Sequence, residues 1–220
     1  MISVVIPTLD EQAAIEAAIT SVRATLDGCE VIVADGGSVD RTRELAAAAG
    51  ATVVGAPGTR ADAMNIGARS AVGEALLFLH ADTTLPAGAE EAIRRTLVHA
   101  DAGAFSVRFD DRPRLARLAV RLYERFHRGV YGDQAIFVTR VAFDLVGGYR
   151  PLPIMEDFDL VQRLRRAGRF VVLPDVVTTS ARRQRAHGEV RTFLTVAAIK
   201  LLYRLGVPPA RLARAYRQLS

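Results

Sequence analysis

Three short apolar segments near the start of the chain, each followed closely by a carboxylate, constrain the fold most strongly. The segments are residues 3–7, 31–34 and 75–79. Each is too short for a helix and contains no charged residue, which predicts three buried strands. The acidic residues that follow these strands are Asp10, Glu11, Asp35 and Asp82.

Helical patterns separate these strands. Apolar residues recur three or four positions apart within residues 11–26, and residues 40–49, 62–70 and 86–100 are predicted as further helices. The alternation predicts one α/β domain over residues 1–220, with a mainly parallel central sheet and helices on both faces. Since ligands bind beyond the carboxyl ends of such strands, we expect the carboxylates to meet in one crevice.

The second half of the chain is less regular and strongly basic. Residues 1–110 hold 8 basic and 15 acidic side chains, whereas residues 111–220 hold 21 and 9. This excess favours an anionic partner: a phosphorylated substrate, a lipid surface or nucleic acid. The predicted elements are strands at 104–109, 135–139 and 170–173, helices at 112–128 and 157–167, and two helices after residue 189 that Pro208 and Pro209 separate.

Several classes of protein are excluded by what the sequence lacks. Cys29 is the only cysteine, which excludes internal disulfides and zinc sites with two or more cysteine ligands. Lys200 is the only lysine, so no Walker-type phosphate loop is present, and no Gly-x-Gly-x-x-Gly follows the first strand. No apolar run is long enough to span a membrane, and the N-terminus lacks the basic flank of a signal peptide. We therefore expect a cytoplasmic protein.

Three acidic groups are candidates for chemistry, and each also has a purely structural interpretation. Asp35, before Gly36 and Gly37, could accept hydrogen bonds from a nucleobase or ribose, or could simply form a turn. Asp82 could hold a divalent cation, or it or Thr83 could cap the next helix. The acidic run at residues 156–159 could deprotonate a hydroxyl nucleophile, or could cap its own helix.

Five motifs occur in order along the chain: Pro-Thr-Leu-Asp-Glu from residue 7, Val-Ala-Asp-Gly-Gly-Ser from 33, Phe-Leu-His-Ala-Asp-Thr from 78, Tyr-Gly-Asp-Gln-Ala from 131 and Met-Glu-Asp from 155. In this set and order the chain resembles family 2 glycosyltransferases of the GT-A fold, and most of all their short, soluble bacterial branch. Two positions depart from the pattern of the branch: Asp10 replaces an asparagine, and Gln184 replaces an aromatic residue. His80 stands where most of the family has the first aspartate of Asp-x-Asp, although the short branch commonly has His-Ala-Asp.

The resemblance implies a role for each matching residue. Residues 1–110 would form the nucleotide-binding half and residues 111–220 the acceptor-binding half with the C-terminal helices. The implied contacts of the nucleotide-sugar are Pro7, Thr8, Glu11, Asp35, Gly36, Arg60, Asn65, Gly67, Ala81, Asp82, Arg182 and Arg183.

The resemblance also implies the catalytic, metal-binding and acceptor-binding residues. Asp157 would be the catalytic base, with Glu156 beside it. Asp82 would bind Mg²⁺ or Mn²⁺, with His187 as an additional metal ligand. The residues implied to contact the acceptor are Gly132, Asp133 and Gln134.

The implied reaction is transfer of a sugar, with inversion, from a nucleoside diphosphate to an acceptor hydroxyl, with UDP preferred over GDP in the donor. The resemblance does not identify the acceptor; since many relatives act on lipid carriers, a lipid-linked alcohol is one candidate. Two other classes remain open: a nucleotidyltransferase, and a non-enzymatic arginine-rich binder of anions or nucleic acid. Against the nucleic-acid binder, no recognised binding motif accompanies the arginines.

Two C-terminal features bear on partners. Five arginines share one face of the predicted helix at residues 112–128, which suits either an anionic membrane surface or a core-packed helix with a solvated face. The apolar face of the tail could cover the sheet, form a homodimer with a second subunit or contact lipid. Peripheral attachment to the inner face of the membrane is therefore one expectation. The arginines are Arg114, Arg117, Arg121, Arg125 and Arg128.

Overall fold

The computed structural model describes residues 1–109, 130, 132–180 and 189–219 of the chain. The strands of this described part are β1 (Ile2–Thr8), β2 (Glu30–Asp35), β3 (Thr52–Gly55), β4 (Ala75–Phe78), β5 (Thr83–Thr84), β6 (Ala102–Phe109), β7 (Ile136–Thr139) and β8 (Phe170–Thr179). The α-helices are α1 (Ile15–Thr25), α2 (Thr42–Ala48), α3 (Arg60–Ser70), α4 (Ala89–Leu97), α5 (Arg140–Leu145), α6 (Glu156–Ala167), α7 (Glu189–Arg204) and α8 (Pro209–Leu219).

The strands form one mixed sheet in the order β3-β2-β1-β4-β7-β6-β8-β5. The first four in this order are parallel to one another, as the strand–helix alternation predicts. β7 runs antiparallel to both β4 and β6, while β6 and β8 are parallel. The carboxyl ends of β1, β2 and β4 therefore lie at one edge of the sheet.

Two apolar layers cover the two faces of this sheet. Along β1, Val4 and Ile6 face one layer while Val5 faces the other, because alternate side chains of a strand point in opposite directions. Helices α1 and α4 pack on the first layer, and α3, α5 and α6 pack on the second. The predicted α/β sheet with helices on both faces is thus confirmed.

Strand β8 is longer than the sequence predicts. The expected strand ends at Leu173, but β8 continues through Pro174 to Thr179. Its register against β6 shifts between Ala104 and Ser106, where β8 advances by four residues and β6 by two. This bulge accommodates the proline, which cannot donate to a regular ladder.

Two short elements were not predicted, because neither is long enough to show periodicity. Helix α5 follows β7 directly, and its first turn is capped by the Thr139 hydroxyl, which accepts from Ala142 N. Thr83 and Thr84 form β5 against β8. The next helix begins at Ala89 with Gly88 as its N-cap, so the interpretation of Asp82 or Thr83 as its cap is wrong.

The two C-terminal helices occur as predicted and pack on the start of α6. Met155 and Phe158 join Ile199 of α7 and Leu212 of α8 in a small apolar cluster. In the described ranges, no helix combines the length and hydropathy needed to cross a membrane. The predicted helix at 112–128 and its arginines lie outside the described residues.

Candidate active site

The ends of β1 and β2 lie side by side and are bonded through their last side chains. Thr8 is paired with Asp35 in the parallel register, and Thr8 Oγ1 donates to Asp35 Oδ2 over 3.0 Å. The same carboxylate accepts from Gly37 N, Ser38 N and Ser38 Oγ. Burial acts to raise the pKa of Asp35, but these hydrogen bonds outweigh it and hold the pKa below its ordinary value. Asp35 is therefore an ionised carboxylate.

Asp35 serves first as the centre of its own turn. A carboxylate offers about four lone pairs, and the four protein donors occupy them. The turn interpretation of Asp35-Gly36-Gly37-Ser38 is therefore correct for this structure. Contact between Asp35 and a nucleobase stays a prediction, and it requires the ligand to replace one of these donors. The Ser38 hydroxyl is the simplest to replace, because a hydroxyl can rotate its proton toward another acceptor.

The loop after β1 is tied to the loop after β2. Asp10 N donates to Ser38 Oγ over 2.9 Å, and Asp10 Oδ1 accepts from Val39 N over 2.9 Å. Asp10 has a φ of 54°, a left-handed conformation that aspartate and asparagine tolerate better than most residues. This explains why aspartate can replace asparagine here. Glu11 N donates to Thr42 Oγ1, and Gly36 N donates to the Thr8 carbonyl.

Arg60, the first residue of α3, reaches toward the end of β4. A capping box between Thr59 and Asp62 fixes the start of this helix. The Arg60 guanidinium contacts the His80 ring, and its Nε lies 3.7 Å from Glu156 Oε1. Burial acts to lower the pKa of Arg60, but nearby carboxylates raise it above its ordinary value. Those carboxylates belong to Asp157, Glu156 and Asp82.

Asp157 lies beside Glu156 in the first turn of α6 and is only 8% exposed. Burial raises the pKa of Asp157 to about 7, and the Glu156 carboxylate adds to the rise. Arg60 and the backbone N–H of Gly132 oppose it. An aspartate that titrates near neutral pH is well matched to accept a proton from a hydroxyl group. Asp157 can therefore act as a general base.

Gly132 lies against the Asp157 carboxylate. A Cβ at residue 132 would collide with Asp157 Oδ2 and with His80 Nε2. Only glycine therefore allows this close approach.

Asp133 and Gln134 complete the short 3₁₀ turn that Gly132 begins. Burial raises the pKa of Asp133, while Lys200 and Arg60 oppose that rise. Gln134 Nε2 donates to the Phe105 carbonyl over 3.0 Å. The three residues predicted to contact the acceptor thus begin beside Asp157, and their role stays a prediction.

Asp82 follows the buried Ala81 beyond β4. Its Oδ1 lies 3.4 Å from Thr179 Oγ1, and its carbonyl accepts from Ser180 N over 3.1 Å. Within the described ranges, no three His, Cys, Asp or Glu side chains form a metal-binding group. A magnesium-type cation needs only one or two carboxylates when substrate phosphates and water complete its shell. Asp82 could supply the single carboxylate that such a cation needs.

Asn65 and Gly67, both predicted nucleotide contacts, have structural roles in α3. Asn65 Nδ2 donates to the Tyr149 carbonyl over 2.8 Å, and Asn65 Oδ1 accepts from Tyr149 N over 2.9 Å. A Cβ on Gly67 would collide with Val5 Cγ1, so glycine lets α3 lie close on β1. Contact of either residue with a nucleotide stays a prediction.

Tyr149 is the residue near the site that the sequence did not reveal. It is 2% exposed, and the carboxylates of Asp157 and Glu156 lie near its hydroxyl. The available signal was the pair Gly147-Gly148, both left-handed with φ of 76° and 65°. Such a pair marks a sharp change of chain direction that can deliver the next side chain inward.

Three predicted site residues, Arg182, Arg183 and His187, lie outside the described residues, as does Gln184. Ser180, the last described residue before them, is bonded to Asp82.

The sequence matches the family model described as "Glycosyl transferase family 2" over residues 3–152. No curated protein sequence gives a significant match.

Several solved structures have a similar fold. The mannosyltransferase PcManGT from Pyrobaculum calidifontis, in complex with GDP-Man and Mn²⁺, has a TM-score of 0.71 and 22% identity over 99% of this chain and 69% of that chain. Glucosyl-3-phosphoglycerate synthase from Mycobacterium tuberculosis, in complex with Mn²⁺, UDP and glucosyl-3-phosphoglycerate, has a TM-score of 0.60 and 22% identity over 94% and 81%. S. aureus TarS 1-349, in complex with UDP-GlcNAc, has a TM-score of 0.64 and 16% identity over 81% and 58%.

At these identities the likeness establishes the GT-A fold. The chain spans 39% of the longer TarS chain that it matches and 58% of the 1-349 chain.

Proposed function

Because the chain belongs to glycosyl transferase family 2, we propose that this glycosyltransferase moves a sugar from a nucleoside diphosphate to an acceptor hydroxyl, with inversion at the anomeric carbon. The observation that carries the proposal is the buried Asp157 carboxylate, whose pKa is about 7, near the cationic Arg60. Family membership favours this reaction over nucleotidyl transfer and over nucleic-acid binding.

Asp157 is the general base of the proposed reaction. It accepts the proton of the acceptor hydroxyl while that oxygen attacks the anomeric carbon from the face opposite the diphosphate. The bond between the anomeric carbon and the diphosphate breaks, and its electron pair leaves with the diphosphate. A single displacement of this kind inverts the anomeric centre. Glu156 helps to hold the Arg60 guanidinium in place, since Glu156 Oε1 lies 3.7 Å from Arg60 Nε.

Positive charge near the diphosphate stabilises the leaving group. Arg60 provides it from α3, and we assign the same role to Arg182 and Arg183. Asp82 would hold Mg²⁺ or Mn²⁺, with His187 as a further ligand, and the bound cation would neutralise charge on the diphosphate. The Mn²⁺ in the structures of PcManGT and glucosyl-3-phosphoglycerate synthase supports this assignment.

The nucleoside is proposed to bind along the edge formed by Pro7, Thr8, Glu11 and the 35–36 turn, with Ala81 and Asp82 toward the diphosphate. Uridine is the preferred base. The complexes of TarS with UDP-GlcNAc and of glucosyl-3-phosphoglycerate synthase with UDP support uridine, and that of PcManGT with GDP-Man makes guanosine the second choice.

A thermal-shift panel of UDP- and GDP-sugars, with and without MnCl₂, tests the proposal. A ligand that binds only the folded state, at free concentration L, adds RT ln(1 + L/Kd) to the free energy of unfolding and so raises the melting temperature. We expect one nucleotide-sugar to raise it by several degrees, and more when manganese is present.

The matched control is Asp82→Asn, which keeps side-chain size and removes the charge. It should retain the manganese-independent shift and lose the additional shift from manganese. If no nucleotide-sugar stabilises the wild-type protein in either buffer, the proposed function is wrong.

The acceptor is proposed to be a lipid-linked alcohol that approaches Gly132, Asp133 and Gln134, so the enzyme would act at a membrane surface. An exposed apolar stripe along α7 and the residue after it supports this location. It consists of Leu194 and Leu201 on the helix and Leu205 just beyond its end, at 60%, 57% and 71% exposure, and the three share one face at helical spacing. Residues 190–220 hold six basic and no acidic side chains, so their charge complements an anionic lipid surface and opposes pairing with a second copy.

A further inference from the structure

Tyr149 is a buried polar side chain to which the reaction above gives no role. Its ring packs edge-on against Phe78, with centroids 4.9 Å apart and planes at 84°, and its centroid lies 6.0 Å from that of Phe143. These contacts fix the plane of the ring. They do not require a hydroxyl group, because a phenylalanine would pack in the same way.

The backbone of Tyr149 is also fixed. The side-chain amide of Asn65, 84 positions earlier in the sequence, forms hydrogen bonds with both the N–H and the carbonyl of Tyr149. Gly148 before it has a φ of 65°, and a Cβ there would lie 2.7 Å from Asn65 Oδ1. Ring and backbone together therefore set where the Tyr149 hydroxyl lies.

That hydroxyl lies among the charges around Asp157. The pKa of Tyr149 is well above its ordinary value because the side chain is buried and because the Asp157 and Glu156 carboxylates are near. A hydrogen bond with the Asp157 carboxylate contributes to this rise, yet in the described part of the chain no well-aligned hydrogen bond joins Tyr149 Oη or Asp157 Oδ1 to a partner. One atom is a donor and the other an acceptor, and burying both without partners is destabilising.

We propose that Tyr149 is a positioning residue for Asp157, and that its hydroxyl donates a hydrogen bond to Asp157 Oδ1 in the working enzyme. The role rests on the proposed function of Asp157 as the base. With Gly132 N–H on the same carboxylate, a second donor would hold the carboxylate plane. It would also favour the ionised form, which burial, Glu156 and Asp133 all disfavour and which Arg60, among the described residues, supports by charge.

Tyr149→Phe tests the proposal, because it removes the hydroxyl and keeps the ring. The direct measurement is a ¹³C NMR pH titration of aspartate side-chain carboxyls in protein without substrate, with Asp157→Asn identifying the resonance. We expect the Asp157 pKa to rise by about one unit when the donor is lost. The rate of donor hydrolysis or transfer should then fall about fivefold at pH 7 and approach the wild-type rate at pH 9.

Tyr203→Phe is the matched control. The Tyr203 ring packs edge-on against Phe158 of α6, the helix that carries Asp157, with centroids 5.7 Å apart, and its hydroxyl has no assigned role. It should leave the Asp157 titration unchanged. Asn65→Ala, which releases the Tyr149 backbone, should move the Asp157 pKa in the same direction as Tyr149→Phe. The two effects should not add when the substitutions are combined.

An Asp157 titration that is identical in the wild type and in folded Tyr149→Phe overturns the proposal. The NMR measurement needs no substrate, so this outcome is distinct from failure of the proposed function. If the titration moves as expected while no nucleotide-sugar binds, Tyr149 positions Asp157 in a protein whose reaction is a different one.

Discussion

Asp157 is surrounded very differently from an aspartate in water. Two acidic neighbours and burial act against its charge, and Arg60 with one backbone N–H act for it. The balance places its titration near neutral pH, where a general base operates well. At the residue scale, the candidate chemistry therefore depends on this one carboxylate.

Asp157→Asn should lower turnover by about 10²–10⁴-fold, because the amide cannot accept the acceptor proton. Release of nucleoside diphosphate, with the donor identified by thermal shift, measures this effect. Asp159→Asn is the control: Asp159 lies in the same helical turn but pairs with Arg150 and Arg163. It should keep most of the activity per folded molecule, and full turnover in Asp157→Asn would exclude Asp157 as the base.

The same carboxylate makes stability depend on pH. Its pKa is about 7 in the folded protein and about 3.9 in an unfolded chain, so between these values the folded state binds more protons. The stability gained from the bound proton is complete below pH 4 and is lost as the pH rises through 7. The asparagine variant does not undergo this loss.

We therefore expect the difference in melting temperature, Asp157→Asn minus wild type, to increase by several degrees between pH 5 and pH 8. A change of about 1 kcal/mol in stability shifts the melting temperature of a chain of this size by about 2–4 °C. Thermal melts of both proteins across this range measure the difference. A constant difference would mean that Asp157 titrates like an ordinary aspartate.

At the scale of elements, the sequence predicts best where the structure depends on local pattern. The short apolar runs of β1, β2 and β4 alternate between two apolar layers, and the residues between them form the expected helices. The turn at Asp35 could also be predicted, because Gly37 and Ser38, which bond its carboxylate, are sequence neighbours. The GT-A fold and the family follow from the five ordered motifs, and both are confirmed.

Contacts between residues far apart in the sequence could not be predicted. β8 continues past Pro174 only because a bulge forms against β6. No local pattern shows that the Asn65 amide is bonded to the backbone of Tyr149, 84 positions later. Tyr149 approaches Asp157 only after those long-range contacts form, and no local pattern encodes them.

Gly67→Ala tests the close packing of α3 on β1. The added Cβ would collide with Val5, a buried, β-branched residue of a central strand that cannot move aside easily. We expect a loss of about 1–3 kcal/mol in the free energy of unfolding, measured by urea denaturation.

Gly55→Ala is the control for that substitution, since a Cβ at residue 55 has no atom within 4 Å. It should change the free energy of unfolding little. Equal effects of the two substitutions would contradict a specific contact between α3 and β1.

At the scale of the whole molecule, charge and exposed apolar surface meet at the C-terminal helices. One side of α7 is anchored to α6 through Ile199 and Tyr203, near the proposed base. The other side presents the leucine stripe, and residues 190–220 hold no acidic side chain. A membrane bound at this stripe would lie on the opposite side of α7 from the helix that carries Asp157.

Co-sedimentation with phosphatidylcholine vesicles, with and without phosphatidylglycerol, tests this surface. The wild type should sediment with the anionic vesicles and less with the neutral ones, and high salt should release it because the charge attraction is screened. Leu201→Gln/Leu205→Gln should abolish most of the binding. Val141→Gln/Leu145→Gln, which alters two exposed apolar residues of α5, should leave it unchanged. Equal sedimentation of both double variants would exclude the stripe as the membrane-binding surface. A concentration-dependent dimer that is disrupted by Leu201→Gln/Leu205→Gln, and not by the control substitutions, would assign this face to a second copy of the chain instead.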